Sequence, residues 1–139
     1  MGDISKKALI NAPTEAVFKY VSDPHNAPSF ISSITRILSG PQGTPTEGQV
    51  WQAEANFLGR RGYIRLRLAE MRRNELVRFT IEGEPQATLL LRLSPDESAG
   101  RTQVLLLLDV PSIPGMFLNG LMGGLLEGDI GRLKRAVET

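Results

Sequence analysis

Apolar and polar residues alternate along most of this chain, and that alternation predicts strands. Positions 4–10, Ile4-Ser5-Lys6-Lys7-Ala8-Leu9-Ile10, read as the first. Pro13 then suits the opening turn of a helix, where its missing N–H would have no intrahelical partner. Val17, Phe18 and Val21 share one face of that helix, and Asp23-Pro24 ends it. Pro24 and Pro28 bracket a stretch that fits a second, single-turn helix, with Asp23 as its N-cap. The strand texture resumes over 30–38 and closes at Ser39-Gly40-Pro41, before a Gly/Pro/Thr-rich loop through Gly48. Residues 50–58 place Trp51, Ala53, Ala55 and Phe57 on one face and Gln52, Glu54 and Asn56 on the other. Residues 63–71 set Ile64, Leu66 and Leu68 opposite Tyr63, Arg65 and Arg67, and in 76–81 Val77, Phe79 and Ile81 share a face. Two further strands, 87–93 and 102–110, flank the turn 94–100.

From Gly115 the period changes to that of a helix. Phe117, Leu118, Leu121, Leu125, Leu126, Ile130, Leu133 and Val137 recur at three- and four-residue steps, and Arg132, Lys134 and Arg135 suit a helix C-terminus. The order is therefore strand, two short helices, six strands, long helix, an α+β arrangement. Seven antiparallel strands with one polar face need cover on the other, and only the last helix is long enough to give it. A curved sheet wrapped around that helix leaves space wherever the two shapes diverge, so a cavity is expected between them.

This order, with the segment Ile10-Asn11-Ala12-Pro13-Thr14-Glu15-Ala16-Val17-Phe18-Lys19-Tyr20-Val21-Ser22-Asp23-Pro24 and the ending Asp129-Ile130-Gly131-Arg132-Leu133-Lys134, resembles the START-like (SRPBCC) helix-grip superfamily. It looks closest to the polyketide cyclase/dehydrase and lipid-transport branch. The resemblance covers residues 1–139 as a single domain. It implies a seven-stranded antiparallel curved sheet gripping the long C-terminal helix, with two short helices between strands 1 and 2. It also implies a hydrophobic partner such as a lipid, polyketide, sterol or quinone. No branch-specific catalytic motif is matched, so no catalytic residue is carried over.

Composition narrows the chemistry. Sixteen basic and fifteen acidic side chains give a net charge of +1, which argues against a nucleic-acid partner. The chain has no cysteine and one histidine, His25, so neither a metal site nor a cofactor is expected, and a Ser-His-Asp triad has little to build on. The N-terminal residues lack an apolar signal core, which makes a cytoplasmic protein the expectation.

The inner-face residues Trp51, Ala53, Ala55, Phe57, Ile64, Leu66, Leu68, Val77, Phe79, Ile81, Leu89, Leu91 and Leu106, with Phe117, Leu121 and Leu125 from the helix, are the candidate ligand contacts. At each position ordinary core packing competes with cavity lining. A mixture of large and small residues on one face favours some open space.

An enzyme is the second reading, a cyclase or dehydratase in which Glu70, Asp109 or Tyr63 serves as acid or base. Glu70 follows Ile64, Leu66 and Leu68 on the presumed inner face, although a strand-end carboxylate reaching water is the plainer account. Tyr20 reads as an ordinary half-buried tyrosine, and Ser29, Ser32 and Ser33 as strand or turn residues. The third reading is an adaptor that docks on a membrane or a larger enzyme through Arg65, Arg67 and the segment 116–122, the two arginines belonging to the basic stretch Arg60, Arg61, Arg65, Arg67, Arg72, Arg73 and Arg78. A solvated sheet face is the plainer account of those arginines. Gly115, Gly120, Gly123, Gly124, Gly128 and Gly131 weaken the terminal helix, either to let it approach the sheet or to let it bend as a gate.

Overall fold

The computed structural model describes residues 2–83, 86–97 and 100–138. Seven strands form one antiparallel sheet: β1 (Asp3–Ile10), β2 (Ile34–Ser39), β3 (Val50–Phe57), β4 (Arg60–Arg72), β5 (Leu76–Glu82), β6 (Ala87–Pro95) and β7 (Thr102–Asp109). Their order is β1-β7-β6-β5-β4-β3-β2, a meander from β2 to β7 with β1 closing on β7. Helix α1 (Thr14–Ser22), a 3-10 turn (Pro24–Asn26) and α2 (Ala27–Phe30) lie between β1 and β2, and α3 (Gly115–Glu138) ends the chain.

The first helix begins directly after Pro13, and Asp23 caps the turn that follows by accepting the His25 N–H at 3.0 Å. The same carboxylate meets His25 Nδ1 at 3.0 Å, so the histidine is an exposed capping partner, away from the cavity described below. The strand expected over 30–38 starts four residues later. Pro28 sits in the first turn of α2, and the Ile31 N–H returns to the Ala27 carbonyl at 2.7 Å, so Phe30 ends a helix and is buried.

The inner rows of β3 to β7 follow the alternation read from the sequence, and α1 packs on β5 and β6 while α3 runs along β1 and against α2. One register change matters. Leu68 pairs with Phe79, but Glu70 pairs with Arg78, because the ladder of β4 and β5 slips by one residue between them. The resulting bulge turns Glu70 to the outer face, where it takes Arg78 at 3.0 Å and Arg72 at 3.1 Å. The inward Glu70 expected from simple alternation is thereby corrected.

The C-terminal half of α3 is tied to the sheet. Glu138 accepts the Asn11 backbone N–H at 2.8 Å and also meets Lys134, whose Nζ reaches the Leu9 carbonyl at 3.0 Å. Leu126, Ile130 and Leu133 are buried beneath this clamp. The first half of the helix buries Leu118, Met122 and Gly123 and leaves its other positions more exposed. Gly120 and Gly124 face solvent, and a Cβ at either would meet nothing within 4 Å. Close approach to the sheet therefore accounts for Gly123, which lies against Ile4, but not for these two.

Two outcomes follow. Gly120→Ala and Gly124→Ala should each stabilise the fold by about 1 kcal/mol, read as a raised Tm. The Asn11 N–H first, and then Lys134, hold the Glu138 carboxyl below its ordinary value of 4.5. Stability from this tie is fully present above that value and is lost as pH falls through the lowered folded one. Glu138→Gln should therefore lower Tm near neutrality and flatten its decline on acidification.

Candidate functional site: a cavity between sheet and helix

The inner face of the sheet divides along a line that crosses successive strands. On one side Trp51, Ala53, Leu66, Leu68, Val77, Phe79, Leu91 and Val104 form continuous packing with Val17, Val21 and Phe30 from the short helices. On the other side Ala55, Phe57, Ile64, Ile81, Leu89 and Leu106 border a cavity of about 290 Å³. The sheet adds Ile34, Gly62, Ala87 and Leu108, the α2–β2 connection adds Ile31 and Ser33, and α3 adds Met122, Leu126 and Asp129. Exposed Arg60, Arg61, Gly62 and Tyr63 mark where the cavity meets solvent.

Small side chains keep this space open. Ala55 opposes Gly62 across β3 and β4, and a Cβ on Gly62 would meet nothing within 4 Å. At the far end of the same strands Trp51 fills the corresponding volume. Its indole lies so close to Gly40 that a Cβ there would come within 2.4 Å, and its Nε1 donates to the Pro41 carbonyl at 2.9 Å. Trp51 is thus a core residue pinned by the β2–β3 loop, outside the cavity. Ala53, Leu66, Leu68, Val77, Phe79 and Leu91 are also outside it, for the same reason of position along the strand.

The helix presents a different face from the one expected. Leu118, Met122, Leu126, Asp129 and Leu133 are its buried stripe. Phe117 and Leu121 stand outside, 60% and 52% exposed, and Leu125 packs against the core margin without reaching the cavity. The first half of α3 is apolar on nearly every side, so its period is clear from sequence but its phase is not.

Asp129 was not among the candidate site residues. It is 3% exposed and, among the described residues, the one buried charged side chain. Its Oδ1 accepts the Ser32 backbone N–H at 3.2 Å and pairs with Arg132. It therefore places a carboxylate beside an otherwise apolar cavity and ties α3 to the α2–β2 connection. The signal lay in its spacing, three residues after Leu126 and four before Leu133, in phase with the apolar stripe.

The acid–base candidates named above lie elsewhere. Glu70 is committed to two arginines outside the sheet. Asp109 belongs to the outer row with Leu105 and Leu107, opposite Asp3 and Thr88. Tyr63 touches the cavity rim, but it shares its row with Arg65 and is 73% exposed. Tyr20 is half-buried against Phe30, with ring centroids 6.0 Å apart. No metal-ligand cluster occurs among the described residues.

A sequence profile of the family described as polyketide cyclase/dehydrase and lipid transport matches residues 1–138. The chain belongs to this family. No functionally curated protein matches it significantly. Among solved structures, a START superfamily protein from Mycobacterium smegmatis is 20% identical with a TM-score of 0.79, over 99% of this chain and 98% of that one. The Zhui aromatase/cyclase from Streptomyces sp. R1128 is 16% identical with a TM-score of 0.69, over 98% and 93%. The di-domain aromatase/cyclase BexL of the BE-7585A biosynthetic pathway is 20% identical with a TM-score of 0.73, over 99% of this chain and 47% of that one. These likenesses establish the START-like helix-grip fold. With the family match, they make the chain a hydrophobic-ligand-binding domain of the polyketide cyclase type.

Removing the carboxylate tests its structural share. Asp129→Ala leaves the Ser32 N–H and Arg132 without their acceptor and should cost about 1–3 kcal/mol in denaturant unfolding. Asp129→Asn keeps an acceptor oxygen and should lose less.

Proposed function

We propose that this chain binds one compact, largely apolar molecule between the sheet and α3, as a carrier or sequestering protein. The observation that carries the reading is the set of small residues, Ala55, Gly62 and Ala87, bordering a cavity on a face whose packed half holds Trp51, Leu66, Leu68 and Phe79. A cavity of about 290 Å³ lies at the small end of ligand sites, which span about 300–1,000 Å³. That size suits a few fused rings, a quinone or polyketide-like body, or one short chain, and not the enclosed tails of a two-chain lipid. Each 100 Å² of ligand surface withdrawn from water would contribute about 2.5 kcal/mol. Asp129 supplies a hydrogen-bond acceptor for a hydroxyl on the buried side of the ligand.

The same carboxylate supports the second reading. In a cyclase or dehydratase working in this cavity, Asp129 is the described carboxylate placed to act as a base, in the part first considered for Glu70, Asp109 and Tyr63. Its Oδ1 is already held by the Ser32 N–H and Arg132, an arrangement that suits an orienting acceptor.

Native mass spectrometry of freshly purified protein, followed by solvent extraction, tests the binding reading. Wild-type protein should release a stoichiometric apolar molecule or take up an added quinone or single-chain fatty acid. Gly62→Phe should lose at least ten-fold in affinity with Tm nearly unchanged, because the new ring enters open space. Protein that carries nothing and takes up none of these ligands would overturn the proposal.

A further inference from the structure

Seven arginines fall between positions 60 and 78, and the fold disposes of five of them. Arg65 and Arg67 lie on the outer sheet face against Glu82, at 3.7 and 3.0 Å. Arg72 and Arg78 share Glu70, and Arg73 reaches Glu15 at 3.4 Å. Arg60 and Arg61 have no ion pair among the described residues. Both are exposed at the cavity mouth.

Apolar side chains project around these two charges. Leu58 and Gly59 form the two-residue tip of the β3–β4 hairpin, with φ values of 52° and 87°. Such a turn suits Asn or Gly at its first position, yet here it holds a leucine that is 48% exposed. A costly backbone conformation and a wasted apolar side chain coincide at one residue, which the packing of the fold does not require. A shallow depression joins Leu58 and Arg60 to Pro111, Ser112 and Ile113, which lead into α3. There Met116, 80% exposed, continues the surface with Phe117 and Leu121. The stretch 115–126 carries no charged residue.

We propose that the cavity mouth docks on an anionic lipid bilayer, with Leu58, Met116, Phe117 and Leu121 entering the interface and Arg60 and Arg61 facing the headgroups. Arg60 and Arg61, without ion pairs among the described residues, put positive charge at the mouth, and the apolar groups stand out beside them at a hairpin tip and a helix shoulder. Protrusions of this kind fit a deformable interface, which closes around them, whereas a folded partner would need matching hollows. Docked in this way, the mouth opens toward the acyl region, and an apolar ligand passes between bilayer and cavity with little exposure to water. The inference goes beyond ligand binding and does not depend on which molecule the cavity holds.

Co-sedimentation with vesicles tests it, using phosphatidylcholine alone and phosphatidylcholine mixed with phosphatidylserine. Binding should require phosphatidylserine and weaken as salt is raised. Each arginine near such a surface is worth about five-fold, so Arg60→Gln with Arg61→Gln should weaken binding about thirty-fold. Arg65→Gln with Arg67→Gln should change it less than two-fold. Leu58→Asn relieves the strained turn, so it should hold or raise Tm while reducing binding, and Phe117→Ser should also reduce it. Equal binding to both vesicle types, or indifference to the Arg60 and Arg61 changes, would overturn the proposal. So would absence of vesicle binding together with a dimer in solution that Phe117→Ser dissociates, which would give this face to a second copy of the chain.

Discussion

A twisted, curved sheet and a straight helix can touch closely over only part of their lengths. In this chain the contact is made along β1. The C-terminal half of α3 is seated by Leu126, Ile130 and Leu133 and fastened to the end of β1 through Glu138, Asn11, Lys134 and Leu9. Between the middle of the helix, at Met122, Leu126 and Asp129, and strands β3 to β6 a gap is not refilled, because Ala55, Gly62 and Ala87 are too small to reach across. The short helices α1 and α2 fill the other half of the concave face, so the cavity has a firm wall on that side. Substitutions that enlarge these small residues would turn the cavity into ordinary core.

The buried Asp129 belongs to the same arrangement. A carboxylate withdrawn from water needs compensation, and here Arg132 and the Ser32 N–H provide it. The pairing links the seated part of the helix to the connection that forms one cavity wall. Shape and charge at that wall therefore depend on each other.

Much of the fold was legible in the chain, for physical reasons that also explain the errors. Alternation in β3 to β7 reports which side of the sheet a residue occupies, and that reading held for Ala55, Phe57, Ile64, Ile81, Leu89 and Leu106 as it did for Trp51 and Phe79. What alternation does not report is position along the strand relative to α1 and α2, and this decides whether an inner residue meets another side chain or open space. The bulge after Leu68 has no turn residue to announce it, so Glu70 read as inward. In α3 the helical period was plain, but with apolar residues on almost every side of its first half the phase was set by tertiary contact alone. Phe117 and Leu121 were consequently assigned to the face that Met122 and Leu126 occupy.

The position of Trp51 has a practical consequence. It is the chain's single tryptophan, four residues and about 13 Å along β3 from the first cavity residue, Ala55, and it is sealed beneath Gly40. Its emission reports the integrity of the packed end of the sheet, not the state of the open end. Intrinsic fluorescence is therefore an optical gauge of unfolding that stays silent to occupancy, and a titration of the cavity must take its signal from the ligand.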